Sequence, residues 1–241
     1  MLPGQSVILA QFWPRWLVDL HSPQFIGLIM AFSGLTALVA SGLTTQLDDA
    51  ISKYFKILLV SESVDTTLVI LASLGDIFTL VIVAIILTII RRTRKAGVIF
   101  LTSIVIIVIT TMYIKPLVAR PLPPYKYEPI SRITKNFVIE ADSVVPFARG
   151  FSYPSNHVAS ITALAYIAGF ELNRKFGRSA MFIWALPMII SVSRLYLMQH
   201  HFTDVVAGFF LGLIISVILS NLMHLDQPFL MSRFHGNDSV A

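Results

Sequence analysis

Apolar residues collect along the chain into long runs separated by short polar stretches, and the runs are of bilayer length. A transmembrane helix needs roughly twenty mostly apolar residues. Such runs lie at about 25–43, 67–90, 97–114, 155–172, 180–198 and 202–223, and they predict an all-α polytopic membrane protein, a six-transmembrane-helix bundle. After the first run the pattern changes. Residues 44–65 mix Asp48, Asp49, Lys53, Lys56 and Glu62 with Ile51, Tyr54, Phe55 and Leu58, which predicts an amphipathic helix lying in the membrane interface instead of a span. Residues 1–21 hold an apolar stretch too short to span, broken at Trp13, Pro14 and Arg15, and read as an uncleaved interfacial segment. Residues 116–151 are polar and contain Pro116, Pro121, Pro123, Pro124, Pro129 and Pro146, the pattern of an ordered extramembrane loop. Loops of that length inside a compact protein are usually functional. No repeat or linker divides the chain, so residues 1–241 form a single membrane-embedded domain with its chemistry-bearing region at 115–204.

Composition agrees with the pattern. Hydrophobic residues make up 56% of the 241 and charged residues only 13%, against roughly a quarter in ordinary globular proteins. Mean hydropathy is +0.78. The formal charge of +5 does not point to nucleic acid, because the basic residues sit in short clusters between apolar runs. Two of these, Arg91-Arg92-Thr93-Arg94-Lys95 and Arg174-Lys175-Phe176-Gly177-Arg178, fall on the same side when the six runs are counted alternately. The positive-inside rule makes that side cytoplasmic. Both termini are then cytoplasmic, and the loop at 116–151 faces the outside or periplasm of a multi-pass protein of the plasma (inner) membrane. The chain has no cysteine, which excludes thiol catalysis and thiolate metal sites.

Polar groups near the outer ends of the runs carry the candidate chemistry. If the sixth helix begins at His200, Asp204 lies four residues on along one face, so its carboxylate can accept a hydrogen bond from one imidazole nitrogen and set the tautomer of the other. A histidine held that way can attack phosphorus and split one hydrolysis into two easier steps. The plainer reading is an interfacial histidine with an acid capping the helix. Arg194 carries a planar fork that matches phosphate oxygens, or it snorkels to headgroups from the end of its span. In Pro154-Ser155-Asn156-His157, proline, serine and asparagine suit a helix start, and free N–H groups there bind anions. His157 can give a proton to a departing alkoxide. Lys115 and Arg120 would neutralise charge on a transferring phosphoryl group, or serve as plain juxtamembrane cations.

Taken together, Lys115 to Pro121, Pro154-Ser155-Asn156-His157, and Ser193-Arg194 with His200 and Asp204 resemble the three-part signature of the type 2 phosphatidic acid phosphatase superfamily. These are six-helix lipid phosphatases related to vanadium haloperoxidases and glucose-6-phosphatase. The resemblance covers about 66–223. The third part matches the family's spacing in full: SR, five residues, H, three residues, D. Two positions depart from it. Asn156 replaces the glycine of the usual PSGH, and asparagine tolerates left-handed backbone better than most residues. The family's first part has lysine, six residues, then Arg-Pro, which would put the arginine where this chain has Leu122, so Arg120 is the nearby substitute.

The resemblance implies a metal-independent phosphoric monoester hydrolase or pyrophosphatase without a cofactor. It makes His200 the nucleophile, Asp204 its orienting partner and His157 the acid for the leaving group. Lys115, Arg120, Ser155, Asn156 through its backbone amide, and Arg194 would bind the phosphate. An outer-interface site favours a phosphate anchored in the bilayer: phosphatidate, phosphatidylglycerol phosphate, polyprenyl diphosphate or a lipid A phosphate. Three alternatives stand beside this reading. One is a metal-dependent hydrolase with His157, His200, His201 and Asp204 as ligands. The second is phosphoryl transfer to a lipid or sugar acceptor. The third is a protein that binds or transports lipid phosphates without chemistry.

Overall fold

The computed structural model describes residues 16–58, 60–143 and 145–227. The expected interfacial segment at the N-terminus lies mostly outside this range, as does the end of the polar tail. Among the described residues the chain is helical, with no strand and one isolated bridge between Pro121 and Phe151. The helices are α1 (Pro23–Ala40), α2 (Thr45–Ile57), α3 (Glu62–Ser73), α4 (Ile77–Ile89), α5 (Arg94–Val118), the short α6 (Arg132–Lys135), α7 (Asn156–Phe176), α8 (Ala185–Tyr196) and α9 (Phe202–Leu222). Short 3-10 turns occupy Pro146–Ala148 and Gly177–Trp184.

Local chemistry accounts for most boundaries. Ser22 caps α1 by accepting the Phe25 N–H at 3.2 Å, and Pro23 occupies the first helical position, where its missing N–H removes no bond. Ser61 caps α3 in the same way through the Val64 N–H. The helix expected across 44–65 therefore ends at Ile57, and Glu62 and Asp65 belong to α3. α5 runs past Pro116, which sits in the last turn and removes only one late hydrogen bond, and stops where Ala119 turns left-handed at φ 51°. Lys115 thus stays helical and is carried into the bundle, 1% exposed.

Among the described residues four helical stretches are long and apolar enough to cross a membrane: Pro23–Ala40, Arg94–Val118, Asn156–Tyr196 and Phe202–Leu222. Two runs behave differently from their sequence reading. The run at 67–90 is not one straight helix but the pair α3 and α4, bent by 54° at residues 74–76, and as a pair it makes a fifth candidate span. The two runs at 155–172 and 180–198 lie in a single helical stretch of 41 residues. It turns at Gly177, whose φ of 55° favours glycine, and α7 packs against α8.

α7 and α9 form the centre of the bundle, with α5 against both and α1 against α9. Small residues allow the central pair to close. A Cβ on Gly208 would meet the Ser155 carbonyl oxygen at 2.5 Å, and one on Gly212 would meet that of Ala159 at 2.3 Å. The core packs Ile99, Phe100, Ile104 and Ile107 of α5 against Val158, Ile161 and Ile167 of α7. Outward, α1 exposes Ile26, Ile29 and Met30, and α4 exposes Ile82, Ile85, Ile86 and Ile89. An apolar outer surface of this kind belongs in hydrocarbon. At one end of the bundle the C-terminus of α5, the N-terminus of α7, the C-terminus of α8 and the N-terminus of α9 meet beneath the segment 119–155.

Candidate active site

The start of α7 supplies the frame. Ser155 is the cap: its hydroxyl accepts the Val158 N–H at 3.4 Å, and its own N–H donates to the Asp204 carbonyl at 3.1 Å, fastening α7 to α9. The next N–H groups, of Asn156 and His157, are free of intrahelical partners because they open the helix. Both donate to the carboxylate of Asp142, Asn156 at 3.1 Å to Oδ1 and 3.0 Å to Oδ2, His157 at 3.2 Å to Oδ1. Lys115 Nζ lies 2.9 Å from Asp142 Oδ2 and donates to the Phe151 carbonyl at 2.9 Å. The His157 Nδ1 hydrogen-bonds Asp142 Oδ1, and its Nε2 lies 3.3 Å from Glu140 Oε2 and 3.7 Å from Asp76 Oδ1.

His200 completes the group. Its Nδ1 donates to the Ser152 carbonyl at 2.9 Å, which keeps a proton on Nδ1, and Nε2 lies 3.2 Å from Asp142 Oδ1. The expected partner Asp204 is 3.9 Å from Nδ1. The reason is local. Met198 turns left-handed at φ 54°, α9 starts only at Phe202, and His200 therefore precedes the helix whose face it was expected to share with Asp204. The Asp204 carboxylate instead accepts the His201 N–H at 2.8 Å and Arg120 Nη1 at 2.7 Å.

Arg194 is wholly buried. Its Nη1 donates to Gln199 Oε1 at 2.6 Å, and its Nη2 to the Ala72 carbonyl at 3.0 Å and to Asp76 Oδ1 at 2.6 Å, while Nε has no partner. The break between α3 and α4 thus has a use: it presents the Ala72 carbonyl, which also accepts the Gly75 N–H, and Asp76, at the N-cap position of α4, to a buried cation. Arg120 stands apart from the cluster on Asp142. Its guanidinium bonds Thr203 Oγ1 and Asp204 through Nη1 and Asp48 through Nη2. It braces the start of α9, tying it to α2, and its bonds go to these residues and not to Asp142.

Electrostatics follow from this geometry. Burial works to raise the Asp142 pKa, but His200, Lys115 and His157 outweigh it and hold the carboxyl well below the usual range. Burial also opposes ionisation of Asp48, and bonds from Arg120 and Thr203 overcome it, so its pKa too is lowered. Burial pushes His201 down, and its Nε2 faces the Pro121 carbonyl at 3.3 Å.

The structure thus brings together Lys115, Asn156, His157 and His200, with Arg194 joined to them through Asp76. It separates Arg120, and it uses Ser155 as a cap. The four groups considered as metal ligands do not converge, because His201 turns to Pro121 and Asp204 to Arg120. Asp142, His157 and His200 do present ligand atoms within 4.8 Å of one another, as do Asp76, Glu140 and His157. In the first set an ammonium group and two N–H donors face the same carboxylate, a donor arrangement built for an anion. Sequence reasoning missed Asp142, Glu140 and Gln199. Asp142 lies in the proline-rich loop without a motif, and the only signal was that a loop so long was expected to be functional.

The profile of the PAP2 superfamily matches residues 96–228 of this chain. Among solved structures, the chain is similar to a transmembrane PAP2 type phosphatidylglycerolphosphate phosphatase from Bacillus subtilis, at 19% identity and a TM-score of 0.67, covering 86% of this chain and 98% of that one. Comparison with curated protein sequences finds no match.

Proposed function

Because the chain belongs to the PAP2 superfamily, we propose that it is an integral membrane phosphatase that hydrolyses a lipid phosphate or diphosphate through a phosphohistidine, without a metal, at the extracytoplasmic face. The observation that carries the reading is the convergence of Lys115 Nζ, the Asn156 and His157 N–H groups and His200 Nε2 on one anion. A helix N-terminus with a buried ammonium beside it is a ready site for phosphate oxygens.

His200 Nε2 attacks phosphorus, and the bond to the leaving oxygen breaks as His157 gives that oxygen a proton. Water then attacks the phosphohistidine, losing its proton to His157, and phosphate leaves with His200 restored. The Ser152 carbonyl keeps the proton of His200 on Nδ1. Asp204, 3.9 Å away, supplies negative charge behind the imidazole as it becomes positive. Lys115 and Arg194 balance the charge of the transferring group, and Arg120 acts through Asp204.

With each of the six apolar runs of the sequence taken as a crossing, this end of the bundle lies opposite the basic turns at 91–95 and 174–178, and hence outside. α2, amphipathic and next to the site, lies in the interface. A leaving group anchored in the bilayer reaches such a site directly. The candidates are phosphatidate, phosphatidylglycerol phosphate (the substrate class in the name of the Bacillus subtilis neighbour), polyprenyl diphosphate and a lipid A phosphate. The test is phosphate release by the purified protein from a panel of these lipids in excess chelator. Activity is expected in the wild type and absent in both His200→Ala and His157→Ala. Full activity in both variants refutes the mechanism.

A further inference from the structure

Asp142 occupies the position that the proposed reaction gives to the substrate. Lys115 and the Asn156 and His157 N–H groups all donate to this one carboxylate, and His200 Nε2, the proposed nucleophile, faces it. The fit is incomplete in a telling way. His200 Nε2 is 3.2 Å from Oδ1 without a hydrogen bond, and the buried Arg194 Nε has no partner among the described residues. A planar carboxylate offers two oxygens and one charge. A phosphate monoester offers three oxygens in a tetrahedral array and up to two charges.

We propose that Asp142 is an internal competitor for the phosphate: it fills the cradle of the resting site, and a substrate binds only by displacing it. The proposal rests on the reading of the site as a phosphate-binding centre. It also gives Asp142 a part in selecting substrates. The surrounding membrane is rich in phosphodiester headgroups, which carry one negative charge on the phosphate and two esterified arms. Such a group brings no more charge than the carboxylate it would replace and fewer free oxygens than a monoester, so it loses the exchange. A monoester or terminal diphosphate gains in both respects and wins it.

The flanking chain suits a residue that swings out about a fixed point on its N-terminal side. Glu140 is held by three bonds, its carbonyl to Gln199 Nε2 at 3.1 Å and its carboxylate to the Ile77 N–H at 2.8 Å and to His157 Nε2 at 3.3 Å. On the other side Ser143 bonds locally, to the Val145 carbonyl at 3.4 Å. Displacement therefore pivots on Glu140 and exposes Ser143, which is 8% exposed in the resting state.

The experiment uses the full chain in detergent and inorganic phosphate as the probe, read by equilibrium binding so that no turnover is needed. Asp142→Asn and Asp142→Ala are expected to bind phosphate at least tenfold more tightly than wild type, and to acquire binding of a soluble phosphodiester. Unchanged or weaker phosphate binding in both variants, with wild-type thermal stability, overturns the proposal. That result would make Asp142 a positioning residue for His157, and kcat would fall without a gain in affinity. A second measurement leaves Asp142 intact. The chain has no cysteine, so Ser143→Cys offers a single thiol, and phosphate is expected to raise its labelling rate several-fold. Protection, or no change, overturns the proposal. Tighter phosphate binding in the Asp142 variants without hydrolysis of any ester would refute the phosphatase reading while leaving the displacement standing. Hydrolysis without any change in affinity would do the reverse.

Discussion

Removing the Asp48 carboxylate is a sharp test of how α2 is joined to the active site. Asp48 is fully buried although it sits on an amphipathic helix. Its Oδ1 accepts the Thr203 N–H at 2.9 Å, and its Oδ2 accepts Thr203 Oγ1 at 2.7 Å and Arg120 Nη2. Asp48→Ala strands all three donors. Breaking a buried ion pair by deleting one partner costs about 3–5 kcal/mol, but Arg120 keeps Asp204, which favours the lower end, ~3 kcal/mol. For a chain of this size each kcal/mol shifts Tm by roughly 2–4 °C, so a fall of roughly 6–12 °C is expected in detergent. Asp48→Asn keeps an acceptor for the Thr203 N–H and should fall between. The neighbouring Asp49 is exposed on the same helix, and Asp49→Ala should move stability by less than about 0.5 kcal/mol. Because Arg120 would then have Asp204 as its one carboxylate partner in this network, phosphate release by Asp48→Ala should decline with Tm. A Tm within 1 °C of wild type would refute the assignment of Asp48 as the anchor of α2.

Two further outcomes follow from the packing and the charges. Gly212→Ala places a methyl group 2.3 Å from the backbone oxygen of Ala159, so it should destabilise by about 1–3 kcal/mol through separation of α7 and α9; an unchanged melting curve would contradict that packing. Asp48 and Asp142 are both held below the ordinary aspartate value. Their contribution is therefore complete above about pH 4, the usual unfolded value, and is lost as pH falls through their lowered folded values. Tm should stay level from neutrality to about pH 4 as far as these two groups are concerned and drop below it. Asp48→Ala should show a shallower acid limb, and a limb as steep as that of wild type would count against the network.

The residues that declared themselves in the sequence do so because the chemistry sits at helix ends. Lys115, the Ser155 to His157 stretch, Arg194 and Asp204 each mark the place where an apolar run starts or stops, so pattern and motif reinforce one another. Asp142 and Glu140 had no such context; a proline-rich loop has no period, and its acids look alike until the fold shows which ones meet Lys115 and His157. Asp48 was legible as a charge on an amphipathic helix, but its burial depends on Arg120, 72 residues away. The bend at 74–76 was hidden for a similar reason. A single acid in an apolar run signals a hydrogen bond, and only the position of Arg194 explains why the helix gives up its continuity there. The His200 to Asp204 spacing was read as one helical face, and the left-handed Met198 and late start of α9 are what undo it.

The contact between Asp76 and Arg194 also bears on how the protein is made. The two residues are 118 positions apart, so at 5–20 residues per second the ribosome needs roughly 6–24 s to deliver the second after the first. During that interval the acid is already in the membrane without its cation. The first half of the bundle cannot settle before the last helices arrive, and a chain interrupted in the 119–155 segment would yield two fragments, each carrying the other's missing charge.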